Sequence, residues 1–129
     1  MAAHAKKAGL AGFVIDGAVR DTGECAAGDF PIFAAGANPN GPLKNSPGRI
    51  NWPVSLAGTS VNPGDLVVGD ADGVVILPRE LAAGIVAAAQ AKVDGEAERM
   101  KQIGRGELVQ PWVAEGLKAV GVLGKDEAL

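Results

Sequence analysis

The residues most able to do chemistry lie close together in Asp16-Gly-Ala-Val-Arg20-Asp21-Thr-Gly-Glu24. An arginine can clamp a carboxylate through two parallel hydrogen bonds. The aspartate beside it can hold a hard divalent cation, Mg²⁺ or Mn²⁺, which prefers oxygen ligands and keeps part of its water shell. A short apolar run, Gly12-Phe-Val-Ile, precedes the group and reads as a buried strand closed by Asp16-Gly17. The Arg-Asp pair would therefore stand where a strand ends and a helix begins, the place where α/β folds put anion and metal sites. The plainer reading is a surface ion pair at Arg20, with Asp21 supporting the start of the helix.

Other candidates are weaker. His4 is the only histidine and has no triad or zinc partners, so it reads as a solvated helix position. Cys25 lacks a second cysteine and reads as a buried structural thiol. Asp70-Ala-Asp72-Gly begins like a calcium loop, but Leu81 stands where the closing glutamate is needed, so it reads as a turn. No GxGxxG or phosphate-loop pattern occurs among the 19 glycines. The two tryptophans read as packing residues.

The elements that must carry these groups follow from pattern. Residues 2–8 are helix formers, residues 20–27 suit a short helix, and Phe30–Phe33 suits a brief strand, giving a βα rhythm with parallel pairing. Residues 36–48, dense in Gly, Pro and Asn, form a long loop. Residues 49–56 alternate like a half-buried strand. Beyond the Asn62–Asp65 turn, Leu66–Val68 and Val74–Leu77 read as β segments. Leu81, Ile85, Val86, Ala89 and Val93 fall at helical spacing, which predicts an amphipathic helix over 79–103, and Pro111 opens a second.

The chain has 129 residues, 12 Lys and Arg against 15 Asp and Glu, and a net charge of -3. That balance gives no electrostatic reason to expect nucleic acid or an anionic membrane as partner. No apolar run reaches the roughly 20 residues of a membrane span, and the start has no apolar signal region. A single cysteine fits a reducing, cytoplasmic setting. Aromatics are only 4%, so the core is expected to consist of Ala, Val, Ile and Leu. The length suits one domain over 1–129, with a helical segment over 79–120.

Arg20-Asp21-x-x-Glu24 preceded by GFVIDGAV resembles the signature of the RraA-like family of class II pyruvate aldolases. DFPIFAAGANPNGP, GRINWPVSLAGTSVNPGDLVVGDADGVVILP and WVAEGLKAVGVL follow in the family's order, so the resemblance covers nearly the whole chain. It implies an α/β, swivelling β/β/α fold with C-terminal helices, assembled as homotrimers or hexamers with sites between subunits. It implies a lyase that splits 4-hydroxy-4-methyl-2-oxoglutarate or 4-carboxy-4-hydroxy-2-oxoadipate into pyruvate and a second 2-oxo acid, with oxaloacetate decarboxylation as a side activity. By motif position Arg20 would grip the substrate carboxylate, Asp21 would hold the divalent metal, and Lys44 would stand for a loop lysine near the site. Glu96 or Glu98 matches a helix glutamate that reaches a neighbouring subunit's site. The family's glycine-rich substrate loop would fall before Met1, so the chain resembles the C-terminal portion of an aldolase, and weak or absent activity is expected of it alone. Some members of the superfamily instead regulate ribonuclease E by binding it. The aspartate at Asp21 favours the aldolase branch over that alternative.

Overall fold

Ala, Lys and His at the start of the chain form helix α1 (Ala2–Lys7), which ends where Gly9 turns to a φ of 84°. The computed structural model describes residues 1–128. Strand β1 (Phe13–Val19), helix α2 (Thr22–Ala27) and strand β2 (Ile32–Ala37) then make a strand–helix–strand unit. The strands pair in parallel from Phe13 opposite Ile32 to Val19 opposite Ala37, as the alternation of segments predicts. The register slips by one residue between Ile15 and Ala18, so Asp16-Gly17 is a bulge. The Asp-Gly pair thus bends the strand instead of ending it, and β1 runs on to Val19. It is also half-buried rather than buried, because a two-stranded sheet has a neighbour along one edge only.

The packing centre departs from expectation too. Phe30, 8% exposed, is the one core side chain among the described residues, and the Phe13 ring meets it edge-on at 5.0 Å. A phenyl ring spans the gap between the β2 approach and β1, which Ala or Val could not, so the few aromatics hold the centre that was assigned to aliphatic residues. Gly12 sits beside them for want of space. A Cβ there would lie 2.9 Å from the Pro31 carbonyl oxygen, which accepts the Phe13 N–H.

Strands β3 (Val54–Leu56) and β4 (Thr59–Val61) form a hairpin closed by Ala57 and Gly58 at φ values of 47° and 82°. Both central residues at positive φ is the two-residue turn that suits strand twist. The expected strand over 49–56 shrinks to its last three residues. Asn51 takes a φ of 57° and Pro53 lacks an N–H, so neither can join a ladder. Strands β5 (Leu66–Asp70) and β6 (Gly73–Leu77) pair antiparallel, and the Asp72 N–H donates to Asp70 Oδ1 at 2.9 Å across their turn. Gly69 leaves room for Phe33, whose ring would stand 2.6 Å from a Cβ at that position.

The chain divides into two units, Met1–Ala82 and Ala83–Leu129. The second holds nearly all of helix α3 (Ala82–Gly104) and helix α4 (Pro111–Ala119), close to the spans predicted. Gly104 and Gly106 end α3, and Arg99 reaches past its end to donate to the Glu107 and Leu108 carbonyls at 2.8 and 2.7 Å. No residue of either helix is buried, and Val93 on the predicted apolar stripe is 56% exposed. The tryptophans are open as well: Trp112 is 66% exposed, and Trp52 packs against the Arg49 guanidinium at 4.2 Å instead of an apolar face. No helix among the described residues is long and apolar enough to cross a membrane.

Candidate active site

Parallel pairing of Val19 with Ala37 brings the residues after β1 and those after β2 side by side. Arg20 and Asp21 follow the first strand, and the loop 38–53 follows the second. The Asn38 N–H donates to the Val19 carbonyl at 2.9 Å, and Asn38 Oδ1 accepts the Asn40 N–H at 2.9 Å, turning the loop back at once. Gly41 then passes near Arg20. An open cavity of about 870 Å³ lies here, and its lining includes Arg20, Asp21, Glu24, Phe30, Asn38 and Asn40.

Asp21 occupies the left-handed region, at φ 59° and ψ 39°. Among non-glycine residues only Asp, Asn and His visit that region with any frequency. Its carbonyl accepts the Cys25 N–H at 3.0 Å and starts α2, yet its side chain makes no capping bond. The carboxylate is thus not used to hold the helix. It faces Arg20, with Oδ2 3.4 Å from Nε, and the two side chains are 63% and 54% exposed. Exposed pairs of this kind contribute only about 0–1 kcal/mol, so either member can turn to a ligand at little cost.

Across the cavity Lys6 of α1 pairs with Asp29. Hydrogen bonding from the ammonium, together with its charge, holds the Asp29 carboxyl below the usual aspartate range. The lining thus carries cations at Arg20 and Lys6 and carboxylates at Asp21, Glu24 and Asp29. Among the described residues no group of three or more His, Cys, Asp or Glu comes together to hold a metal. Carboxylates that stand apart in a roomy cavity, Asp21 among them, fit Mg²⁺ or Mn²⁺ that keeps most of its waters, and do not fit a cation caged by protein ligands.

The structure brings together two of the candidates, Arg20 and Asp21. Lys44 is exposed in the loop 38–53 and does not line the cavity. Glu96 and Glu98 are exposed on α3 in the second unit. Glu98 is engaged by Lys101 at 3.2 Å and Arg105 at 3.6 Å, whereas Glu96 has no ion pair among those described. His4 is exposed on its helix, as its isolation predicts. Cys25 is half-buried at the cavity wall instead of buried, because α2 is too short to be covered on more than one side, and its thiol donates weakly to the Arg20 carbonyl at 3.8 Å. The contribution of Asn38 and Asn40 was not apparent from pattern, although the Asn- and Pro-rich run did mark the loop that bears them.

Comparison with known proteins adds independent information. A family model described as RraA-like, Aldolase/RraA, matches residues 1–76. A protein of Halalkalibacterium halodurans named "Putative 4-hydroxy-4-methyl-2-oxoglutarate aldolase" is 49% identical over 75 residues, which cover 58% of this chain and 36% of that one. An uncharacterized protein of Methanocaldococcus jannaschii is 38% identical over 104 residues, covering 81% of this chain and 50% of its own length. A crystal structure of an uncharacterized Pseudomonas syringae protein superposes with a TM-score of 0.68 at 30% identity, over 81% of this chain and 52% of that one. The chain spans about a third to a half of the length of these relatives.

Proposed function

The chain belongs to the RraA-like family, and from that premise we propose that it carries the Arg-Asp portion of a divalent-metal-dependent lyase site. The substrate class is the 4-hydroxy-2-oxo diacids of the 4-hydroxy-4-methyl-2-oxoglutarate type, cleaved to pyruvate and a second 2-oxo acid, with oxaloacetate decarboxylation as a side activity. The observation that carries the reading is the joint position at one cavity of Arg20 and an Asp21 carboxylate that faces it and caps no helix. The name of the Halalkalibacterium relative supports the substrate class.

In this reading the Arg20 guanidinium binds the carboxylate of the 2-oxo acid end and fixes its plane. Asp21 accepts hydrogen bonds from metal-bound waters or ligates directly, and its left-handed backbone aims it away from the helix it precedes. A divalent cation, when bound, supplies Lewis-acid polarisation of the 2-oxo group. Asn38 and Asn40 offer neutral amides to substrate oxygens at the cavity wall, and Phe30 and Phe13 keep its floor apolar. Lys44 is proposed to approach through the loop that bears it, and Glu96, free of the ion pairs that occupy Glu98, is the better placed of the two helix glutamates to serve a neighbouring copy in a homo-oligomer.

A lactate-dehydrogenase-coupled assay of pyruvate release, run on oxaloacetate and on 4-hydroxy-4-methyl-2-oxoglutarate with Mg²⁺ or EDTA, tests the reading. Metal-dependent release that falls about 10²–10³-fold in Asp21→Ala supports it, in keeping with the loss of one preorganised electrostatic contact. Release that is indifferent to EDTA and to Asp21→Ala would falsify it.

A further inference from the structure

Asn38, Asn40, Gly41 and Pro42, at the start of the loop 38–53, line the cavity, and the strand that delivers Arg20 holds the loop at both ends. At its start the Asn38 N–H is bonded to Val19. Past its end, across the short strand β3, the Ala57 N–H donates to Asp16 Oδ2 at 2.9 Å. These two anchors lie on β1, on either side of Gly17 and Ala18. The Asp16 bond joins residues 41 apart in sequence, further than any other side-chain hydrogen bond among the described residues. Two local distortions make it possible. The bulge at Asp16-Gly17 takes the Asp16 side chain out of the regular alternation of β1. The positive φ of Ala57 presents its N–H outward at the hairpin tip. Strands β1 and β3 belong to separate two-stranded sheets, so no backbone ladder does this work in place of the side chain.

We propose that Asp16 is a positioning residue, whose carboxylate clamps the tip of the β3–β4 hairpin to the β1 bulge and so holds the loop 38–53 closed against Arg20. A segment fixed at both ends has far fewer conformations than one fixed at its start alone, so Asn40 and Gly41 are kept at the cavity. The role in substrate capture rests on the lyase reading above, whereas the clamp itself does not.

The test compares wild-type chain, Asp16→Ala and Asp16→Asn by hydrogen exchange and by steady-state pyruvate release with Mg²⁺. Asn keeps an oxygen acceptor for the Ala57 N–H, and Ala removes it. In Asp16→Ala, exchange of the hydrogen-bonded Asn38, Asn40 and Ala57 amides is expected to rise about tenfold while α3 is unchanged, as loss of one charge-assisted bond would give. KM should rise by a similar factor with kcat within about twofold, and Asp16→Asn should recover most of both. Unchanged exchange in Asp16→Ala, a rise spread equally over α3, or an Asn variant as impaired as Ala would each overturn the clamp. A chain whose pyruvate release is indifferent to EDTA but which shows the expected exchange pattern would sink the lyase reading and leave the clamp standing.

Discussion

The β1–α2–β2 segment and the α3–α4 unit are built from similar proportions of small and apolar residues, yet they use them differently. In the first, the Phe13 ring and a parallel pair of strands enclose Phe30, the strand pairing is broken by the Asp16-Gly17 bulge, and the backbone turns left-handed at Asp21. In the second, helical periodicity runs for 23 residues in α3 without burying a side chain. The lesson is that regularity and self-sufficiency are separate properties. The irregular segment supplies its own packing centre and bears the proposed Arg20–Asp21 site. The regular one leaves its apolar positions open, with Val86 61% and Val93 56% exposed.

The sharpest way to break this contrast is to truncate one apolar side chain in each region. Phe30→Ala should cost about 3–5 kcal/mol in a denaturant titration, as for other buried aromatic truncations. Val93→Ala, on an exposed stripe, should stay within about 0.5 kcal/mol. Equal costs would mean that α3 is packed in solution and that the contrast is false. A smaller effect is expected of Gly12→Ala, where a methyl would meet the Pro31 carbonyl oxygen and a main-chain atom cannot step aside cheaply. About 1–3 kcal/mol is expected, with protection of the Phe13 N–H reduced.

The smallest effect concerns the exposed Lys6–Asp29 pair that fastens α1 to the same segment. Because the folded Asp29 carboxyl is held below its ordinary range, the pair's contribution is complete above that range and is lost as pH falls through the lowered value. Protection of the α1 amides, measured against their intrinsic exchange rates, should therefore fall in acid below about pH 4, and added salt at neutral pH should imitate it. The α3 amides should respond to neither. If α1 were indifferent to both treatments, the pair would not be what holds it.

Much of this was legible in the sequence where structure is local. The spans of α3, α4, β5 and β6, the turn at Asn62–Asp65 and the parallel partnership of β1 and β2 all follow from period and punctuation. The juxtaposition of Arg20 and Asp21 at a strand end was legible for the same reason. What escaped depends on distant partners. Asp16-Gly17 reads as a stop, but pairing with β2 carries the strand through it as a bulge. Residues 49–53 alternate correctly, and only the backbone at Asn51 and Pro53 shows why they do not pair. Phe30 was outvoted by numerous aliphatic residues, although one ring placed between two strands outweighs many side chains that face solvent. The bond from Ala57 to Asp16 has no local signature at all.

The conformation of Asp21 also limits what can ever stand there. At φ 59° the main chain accepts Gly, Asn or Asp readily and resists β-branched and long side chains. In the proposed role beside a hard cation, a carboxylate adds charge that a neutral amide lacks, which favours Asp or Glu. The two filters share one member. In a saturation library at codon 21, variants that keep their fold and variants that keep a carboxylate should therefore form sets that overlap only at the parental residue, making this corner of the chain a dead end for gradual change.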